Sequence, residues 1–329
     1  MNKKLTISIV GKSGHAGHLI DILKRKEGID LEFVYYPKRC DDSNLPVTSN
    51  FNDLLGSEAI IIASPTDTHA YYLNQLKSYE GYILVEKPIF SSEEETEEFR
   101  KWPIHKKEKI KVNYNFRYSR ITKVIEEICS AQSFGEPIAF YIHTSHGLAY
   151  KENYLKSWRS RPERSFGVVE LVGSHFINLS MYLFGEILNS NIRTLNIYKN
   201  IQIDTSPDTT IINLEMEKGI IVNLFHSYAG PKFNKILLIG TNGFLDYDGK
   251  TIKFYSPRDS FDQKGRFDNP PLVFSIEQKH EAIWQESLEE SLDHFIEVAR
   301  TKNKFQMKEL EQSLDTMKPI FRLKYADDR

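Results

Sequence analysis

Along the first third of the chain, short apolar runs alternate with stretches in which apolar residues recur every three or four positions. Strand-like runs fall at residues 5–10, 31–36, 59–63, 83–85 and 110–115. The run at 59–63 is apolar throughout and is ended by Ser64-Pro65, as a strand buried on both faces of a parallel sheet should be. Helical spacing covers 18–25, 68–79 and 91–100, the last opening on a serine pair and an acidic first turn. This alternation predicts a doubly wound parallel α/β sheet.

Past residue 120 the period changes. A helix at 121–131 precedes a long strand at 137–145, an irregular arginine-rich stretch at 150–166 and a helical block at 168–184. Strand signals then recur at 190–198, 209–216, 219–228, 234–240 and 243–247, joined by short turns, which implies a largely antiparallel sheet. The polar stretch 259–271 reads as a surface loop, and helices are expected at 284–300 and 308–324. The expected fold is therefore α/β: a Rossmann-type parallel domain over residues 1–118, then an α+β domain over 119–329 with a largely antiparallel open sheet. The final helix is free to pack back on the first domain.

Composition narrows the function classes. With 329 residues, two domains are expected. A net charge of −2 argues against a dedicated nucleic-acid binder, and no apolar run approaches the length of a membrane span. The two cysteines, Cys40 and Cys129, make neither a disulfide framework nor a cysteine zinc site. The apolar run after Met1-Asn2-Lys3-Lys4 ends at Gly11 and reads as a strand, not a signal peptide, so a cytoplasmic setting is expected. His143 and His146 stand three apart on a strand, facing opposite ways, so no metal site is expected there.

Three places carry chemistry. Gly11, Gly14 and Gly17, between the first strand and a helix, follow G-x-x-G-x-x-G, a spacing that allows a tight turn and close approach of backbone N–H groups to a pyrophosphate. The second strand ends in Tyr36-Pro37-Lys38-Arg39, with no carboxylate where NAD-selective sites usually have one. Two cations beside an aromatic ring suit a 2′-phosphate, which favours NADP(H) and leaves NAD(H) open. Lys87, in Val85-Glu86-Lys87-Pro88, ends a strand at the sheet edge where ligands of open α/β folds bind.

These segments resemble a known family. Ala63-Ser64-Pro65-Thr66-Asp67-Thr68-His69, Val85–Pro88, Asn115-Phe116-Arg117-Tyr118, Gly173–Leu179, Ile239–Leu245 and Leu292–Val298 occur in the order found in the Gfo/Idh/MocA family of NAD(P)-dependent sugar oxidoreductases, and span nearly the whole chain. The resemblance implies hydride exchange between a nicotinamide and a sugar, inositol or nucleotide-sugar carbon. It implies Lys87 as a contact of the reacting hydroxyl and His175 as the acid/base. The implied cofactor set is Gly11, Ser13, Gly14, His15, Ala16, Tyr36, Lys38, Arg39, Ser64, Pro65, Thr66, His69, Glu86, Lys87 and Asn115, with a loop-fixing role as the other reading of His69. It further implies a homodimer or homotetramer formed through the second-domain sheet.

One departure matters. Many family members carry an aspartate four residues before the histidine; here that position is Leu171, and Glu170 falls one place earlier. A displaced carboxylate, a site using only Lys87 and His175, and loss of the redox reaction all remain open. Trp158, Arg159, Arg161 and Arg164, with Arg117, Tyr118, Lys87 and His175, form the expected substrate set, the arginines suiting a sugar phosphate or nucleotide-linked sugar. The alternatives are a hydrolase or lyase using transient oxidation by NAD, and an inert NADP-binding protein.

Overall fold

The computed structural model describes residues 3–38, 42–199 and 204–326. The chain divides into two compact units, one of Met1–Tyr114 with Ser291–Asp315, the other of Asn115–Glu290 with Thr316–Arg329. The division thus falls inside one long helix, His280–Thr301, and the chain returns to its first unit near its end.

In the first unit, β1 (Leu5–Val10), β2 (Ile29–Tyr35), β3 (Val47–Thr48), β4 (Ala59–Ile62), β5 (Tyr82–Glu86) and β6 (Ile110–Asn113) form a six-stranded sheet ordered β3-β2-β1-β4-β5-β6. Every pair is parallel, and the order reverses between β1 and β4, where doubly wound sheets bind ligands. Every residue of β4 and β5 is buried, as the apolar runs Ala59–Ile62 and Tyr82–Val85 favour, and β5 ends on the buried Glu86. On one face, Leu73, Leu76, Phe90, Phe99 and Trp102 pack on Ile60, Ile62, Ile83 and Val85.

In the second unit, β7 (Pro137–Ser145), β8 (Ile187–Leu195), β9 (Thr209–Met216), β10 (Ile221–Ser227), β11 (Phe233–Gly240), β12 (Phe244–Tyr247), β13 (Thr251–Tyr255) and β14 (Leu272–Glu277) make an eight-stranded sheet ordered β14-β13-β12-β11-β7-β10-β9-β8. Only β7 and β10 pair in parallel. Its inner face, including Phe140, Ile142, Leu224, Leu238 and Tyr247, packs with Ile125, Phe176 and Ile177 from two helices. Its other face leaves Ile221 and Phe233 exposed.

Several elements depart from expectation. The first helix begins at His15 rather than residue 18, and the helix after β4 ends at Gln75 rather than 79. The expected strand at 190–198 is shifted to Ile187–Leu195. β3, β13 and β14 were not expected. β3 has two residues, and β14 lies at the sheet edge with much of its apolar surface exposed, so neither produces a strong periodic signal. The helix expected over 308–324 is two, Met307–Asp315 and Lys318–Ala326. Pro319 in the first turn of the second helix has no N–H to continue the first, and is tolerated only near a helix start.

Candidate functional site

The glycine turn lies at the carboxyl end of β1. Gly11 has φ +116°, and a Cβ there would come within 2.8 Å of the Ala63 carbonyl oxygen and 3.1 Å of the Ala16 Cβ. Gly14, φ +62°, precedes the helix His15–Arg25, and a Cβ there would meet nothing within 4 Å. The turn therefore presents open space at a helix N-terminus whose first turn holds no acidic residue, a cradle that fits a dinucleotide pyrophosphate. Gly17 behaves differently. Its nearest neighbour would be the Lys12 carbonyl at 3.8 Å, so the close helix–strand approach falls on Gly11 and Ala16, not on the third glycine. Gly17→Ala is expected to stabilise the chain by about 0.5–1 kcal/mol through helix propensity. Gly11→Ala is expected to cost about 2 kcal/mol or more, because positive φ and a backbone clash act together. Urea unfolding of the two variants checks the pair.

At the end of β5, the buried Glu86 carboxylate collects three donors. His15 Nε2 is 2.8 Å from Oε1, Asn113 Nδ2 donates to Oε1 at 2.6 Å, and Lys87 N donates to Oε2 at 3.3 Å. Burial alone would raise the Glu86 pKa, but His15 and Asn113 outweigh it and hold the carboxyl below its usual range. Asn113 Oδ1 in turn accepts from Ser291 Oγ at 2.7 Å. Glu86 is thus a buried support linking the glycine turn to the strand end that carries half-buried Lys87.

The remaining residues of the expected cofactor set divide. Ser13 is exposed at the turn, while Ala16 and Thr66 are buried. Ser64 Oγ accepts from Thr68 Oγ1 at 2.7 Å. His69 is 1 % exposed, and its ring nitrogens lie 3.0 Å from the Pro88 carbonyl and 2.9 Å from the Ser64 carbonyl. It ties two strand-end turns together, which fits the loop-fixing reading of this residue. Asn115 is buried, and its amide donates to Ser287 Oγ at 2.7 Å inside the second unit.

At the end of β2, Tyr36 is half-buried and Lys38 exposed, while Arg39 lies outside the described residues. A carboxylate that the spacing hid also reaches this edge. Asp42 Oδ2 is 2.9 Å from Lys12 Nζ, and Asn44 N donates to Asp42 Oδ1 at 2.9 Å. These bonds, the Lys12 one foremost, hold the Asp42 carboxyl below its usual range.

In the second unit, the residues before His175 do not form a regular α-helix. Val169–Gly173 is a π-turn in which Ser174 N donates to the Val169 carbonyl, and the helix Ser174–Phe184 continues from it. A π-turn closes its hydrogen bond over five residues instead of four, which inserts one extra residue into the turn here. Glu170, five residues before His175, is thereby brought toward the face that an α-helix would reserve for Leu171. A Cβ on Gly173 would come within 2.9 Å of Ile212 Cδ1, so the widened turn packs tightly on β9. Glu170 is 4 % exposed, and its Oε2 accepts from Phe166 N at 2.6 Å. Leu171 instead packs with the apolar cluster of Ala149, Tyr154, Val168 and Tyr228.

His175 is half-buried, with its ring edge-on to Phe116 at 5.2 Å and its Nδ1 buried. Tyr228 is raised first by burial, then by Tyr154, with a smaller push from Glu170, while Arg159 acts in the opposite sense. Tyr154 is pushed up to about 12 by burial and Asp208, again opposed by Arg159. Arg159 also lies 4.8 Å over the Trp158 ring. Burial, Tyr154, Glu170 and Arg159 thus converge electrostatically on Tyr228, a tyrosine pair that sequence reasoning did not find. Arg161, Arg164 and Tyr118 are half-buried. Arg117 is 8 % exposed, donates from Nε to Asn178 Oδ1 at 2.7 Å and stacks over Tyr182 at 5.2 Å, so much of its side chain is engaged in packing.

Among the described residues, no cluster of histidine, cysteine or carboxylates could hold a metal ion, and no helix is long and apolar enough to cross a membrane. Comparison with known proteins adds the following. A curated relative, glucose-6-phosphate 3-dehydrogenase of Bacillus subtilis (strain 168), is 21% identical over 242 residues, covering 70% of this chain. The chain spans 65% of that protein's length, and 39% of an uncharacterized oxidoreductase of Schizosaccharomyces pombe that is 24% identical over 146 residues. The WlbA dehydrogenase of Bordetella pertussis, solved with NADH and UDP-GlcNAcA, shares the fold at TM-score 0.77 and 15% identity, over 98% of this chain and 96% of that one. Levoglucosan dehydrogenase, solved with NADH and levoglucosan, matches at TM-score 0.73 and 15% identity, over 96% and 95%. Residues 7–114 match the model of the oxidoreductase family with an NAD-binding Rossmann fold, and residues 122–246 match the GFO/IDH/MocA C-terminal domain. With both halves matched in order on the two units, the chain belongs to the GFO/IDH/MocA oxidoreductase family.

Proposed function

We propose that the chain is an NADP(H)-dependent oxidoreductase exchanging hydride with a hydroxyl or keto carbon of an anionic sugar derivative, a sugar phosphate or nucleotide-linked sugar. The observation that carries this is Lys87, half-buried at the β5 end, on the sheet edge that also bears the open glycine cradle and Glu86. Bound nicotinamide supplies the hydride acceptor or donor. His175 Nε2 takes the hydroxyl proton during oxidation and returns it during reduction. The Lys87 ammonium stabilises the negative charge that develops on the same oxygen. Glu170 holds His175 and stabilises its imidazolium.

The anionic substrate class rests on Arg159, Arg161 and Arg164, with Trp158 as an apolar wall. It agrees with the sugar phosphate named for the Bacillus relative and the UDP-linked sugar held by the Bordetella structure. NADP(H) rests on Lys12 and Lys38 at the β2 edge. The test is calorimetric titration with NADPH and NADH, followed by nicotinamide absorbance during turnover on sugar phosphates, nucleotide sugars and neutral sugars. Turnover confined to neutral sugars would remove the anionic class, and absence of dinucleotide binding would remove the whole reading.

A second copy of the chain is the proposed occupant of the open sheet face. Tyr141, His143, Phe225 and Phe233 form a connected aromatic strip there, with Ile221 exposed beside it. Ile221→Glu with Phe233→Glu is expected to yield monomers in sedimentation velocity. An unchanged oligomer would exclude this face.

A further inference from the structure

At the β2 edge, Lys12 is paired with a carboxylate, Asp42, that the reading above gives no role. Lys12 follows Gly11 directly, and Gly11 N donates to the Tyr35 carbonyl at 3.1 Å, so the glycine turn is fastened to the end of β2. After the strand, the chain folds back. β3 pairs in parallel with Val34 and Tyr35, and Tyr36 N donates to the Thr48 carbonyl at 2.9 Å. The segment between them carries Asp42, which Asn44 N and Lys12 Nζ fix by its two oxygens. Lys24 Nζ, from the helix behind the turn, reaches the Asn44 carbonyl at 3.4 Å. The pair is accessible, with side chains 25% and 22% exposed. A carboxylate is thus delivered beside the glycine turn from six residues past Tyr36.

In doubly wound sheets this corner, between the first turn and the second strand end, receives the adenosine ribose. A carboxylate there accepts from a ribose diol and repels a 2′-phosphate; a lysine there attracts the phosphate. We propose that Lys12 and Asp42 together set the coenzyme preference, Asp42 competing with the 2′-phosphate for the Lys12 ammonium and keeping NAD(H) acceptable to the site. This rests on the dinucleotide-binding reading above and deepens it. Asp42 acts as a tuning residue at the ribose, away from the hydride transfer.

The test titrates the full-length chain with NADPH and NADH by calorimetry, for wild type, Asp42→Asn, Asp42→Ser, Lys12→Gln and the Lys12→Gln/Asp42→Asn double variant. Asp42→Asn and Asp42→Ser are each expected to raise NADPH affinity about tenfold or more while NADH affinity stays level or falls, since one negative charge leaves the phosphate's neighbourhood. Lys12→Gln is expected to weaken NADPH selectively, and the Asp42→Asn gain is expected to shrink in its background, because the two side chains act as a pair. The proposal is overturned if the NADPH-to-NADH affinity ratio stays within about threefold of wild type in both Asp42 variants, or if the two effects are additive. Wild type binding neither dinucleotide would instead overturn the underlying reading, and this proposal with it. Thermal unfolding without ligand identifies any variant whose loss is one of folding.

Discussion

Replacing Lys87 with alanine is expected to lower turnover by about a thousandfold or more while leaving dinucleotide affinity within about threefold. The backbone N–H of Lys87 holds Glu86, and the neighbouring supports are His15 and Asn113, so truncation beyond Cβ leaves those bonds in place. The loss should therefore appear in kcat with the unfolding midpoint little changed. Lys87→Arg should fail to rescue, because a planar guanidinium cannot replace a compact ammonium at one developing oxyanion. Stopped-flow absorbance of the nicotinamide separates the hydride step from binding. Turnover within tenfold of wild type would remove Lys87 from the mechanism.

The second large effect concerns Glu170. Glu170→Gln keeps the acceptor for Phe166 N and removes the charge, so kcat is expected to fall about ten- to a hundredfold with the fold retained. Losing a nearby carboxylate makes an imidazolium easier to deprotonate, so the acidic limb of the oxidation profile should move to lower pH. A purely structural Glu170 would leave that limb in place. Glu170→Ala should add a stability cost of about 1–3 kcal/mol, because the partly buried Phe166 amide loses its acceptor. Restoring the usual spacing with Glu170→Gln/Leu171→Asp should not rescue activity. The widened turn directs position 171 into the Ala149–Tyr154–Tyr228 cluster, where a carboxylate would be buried among apolar groups.

The π-turn shows where sequence reasoning stops. The one-residue displacement of the carboxylate was visible as a departure from the family pattern. Whether the helix absorbed it depended on packing. Gly173, with Ile212 against its missing Cβ, and the five-residue step at Val169–Ser174 are decided by β9, which lies some forty residues further along the chain. Asp42 was hidden for a related reason. A carboxylate six residues past Tyr36 has no fixed place until β3 folds the segment back, and the two-residue β3 has no period to detect.

Several side chains named from the sequence also turned out to be engaged internally. His69 ties the Ser64 and Pro88 carbonyls, Asn115 bonds Ser287, and Arg117 bonds Asn178. A polar residue inside a recognisable motif can serve the ligand or the backbone that shapes the ligand's site. Only its partners tell these apart.

What the sequence determined by itself is local. Apolar runs closed by glycine and proline give buried parallel strands, and a glycine-bounded turn between strand and helix gives a cradle at the helix N-terminus. The end of the β5 run then puts Lys87 on the sheet's ligand edge. What the tertiary structure alone decided is long-range: the carboxylate paired with Lys12, the Ser291–Asn113–Glu86–His15 chain of hydrogen bonds, and the π-turn that carries Glu170 just before His175's helix. The physical reason is that periodicity and turn chemistry act over a few residues. Partnership between buried polar groups is settled by which segments the folded chain brings together, tens to hundreds of positions apart.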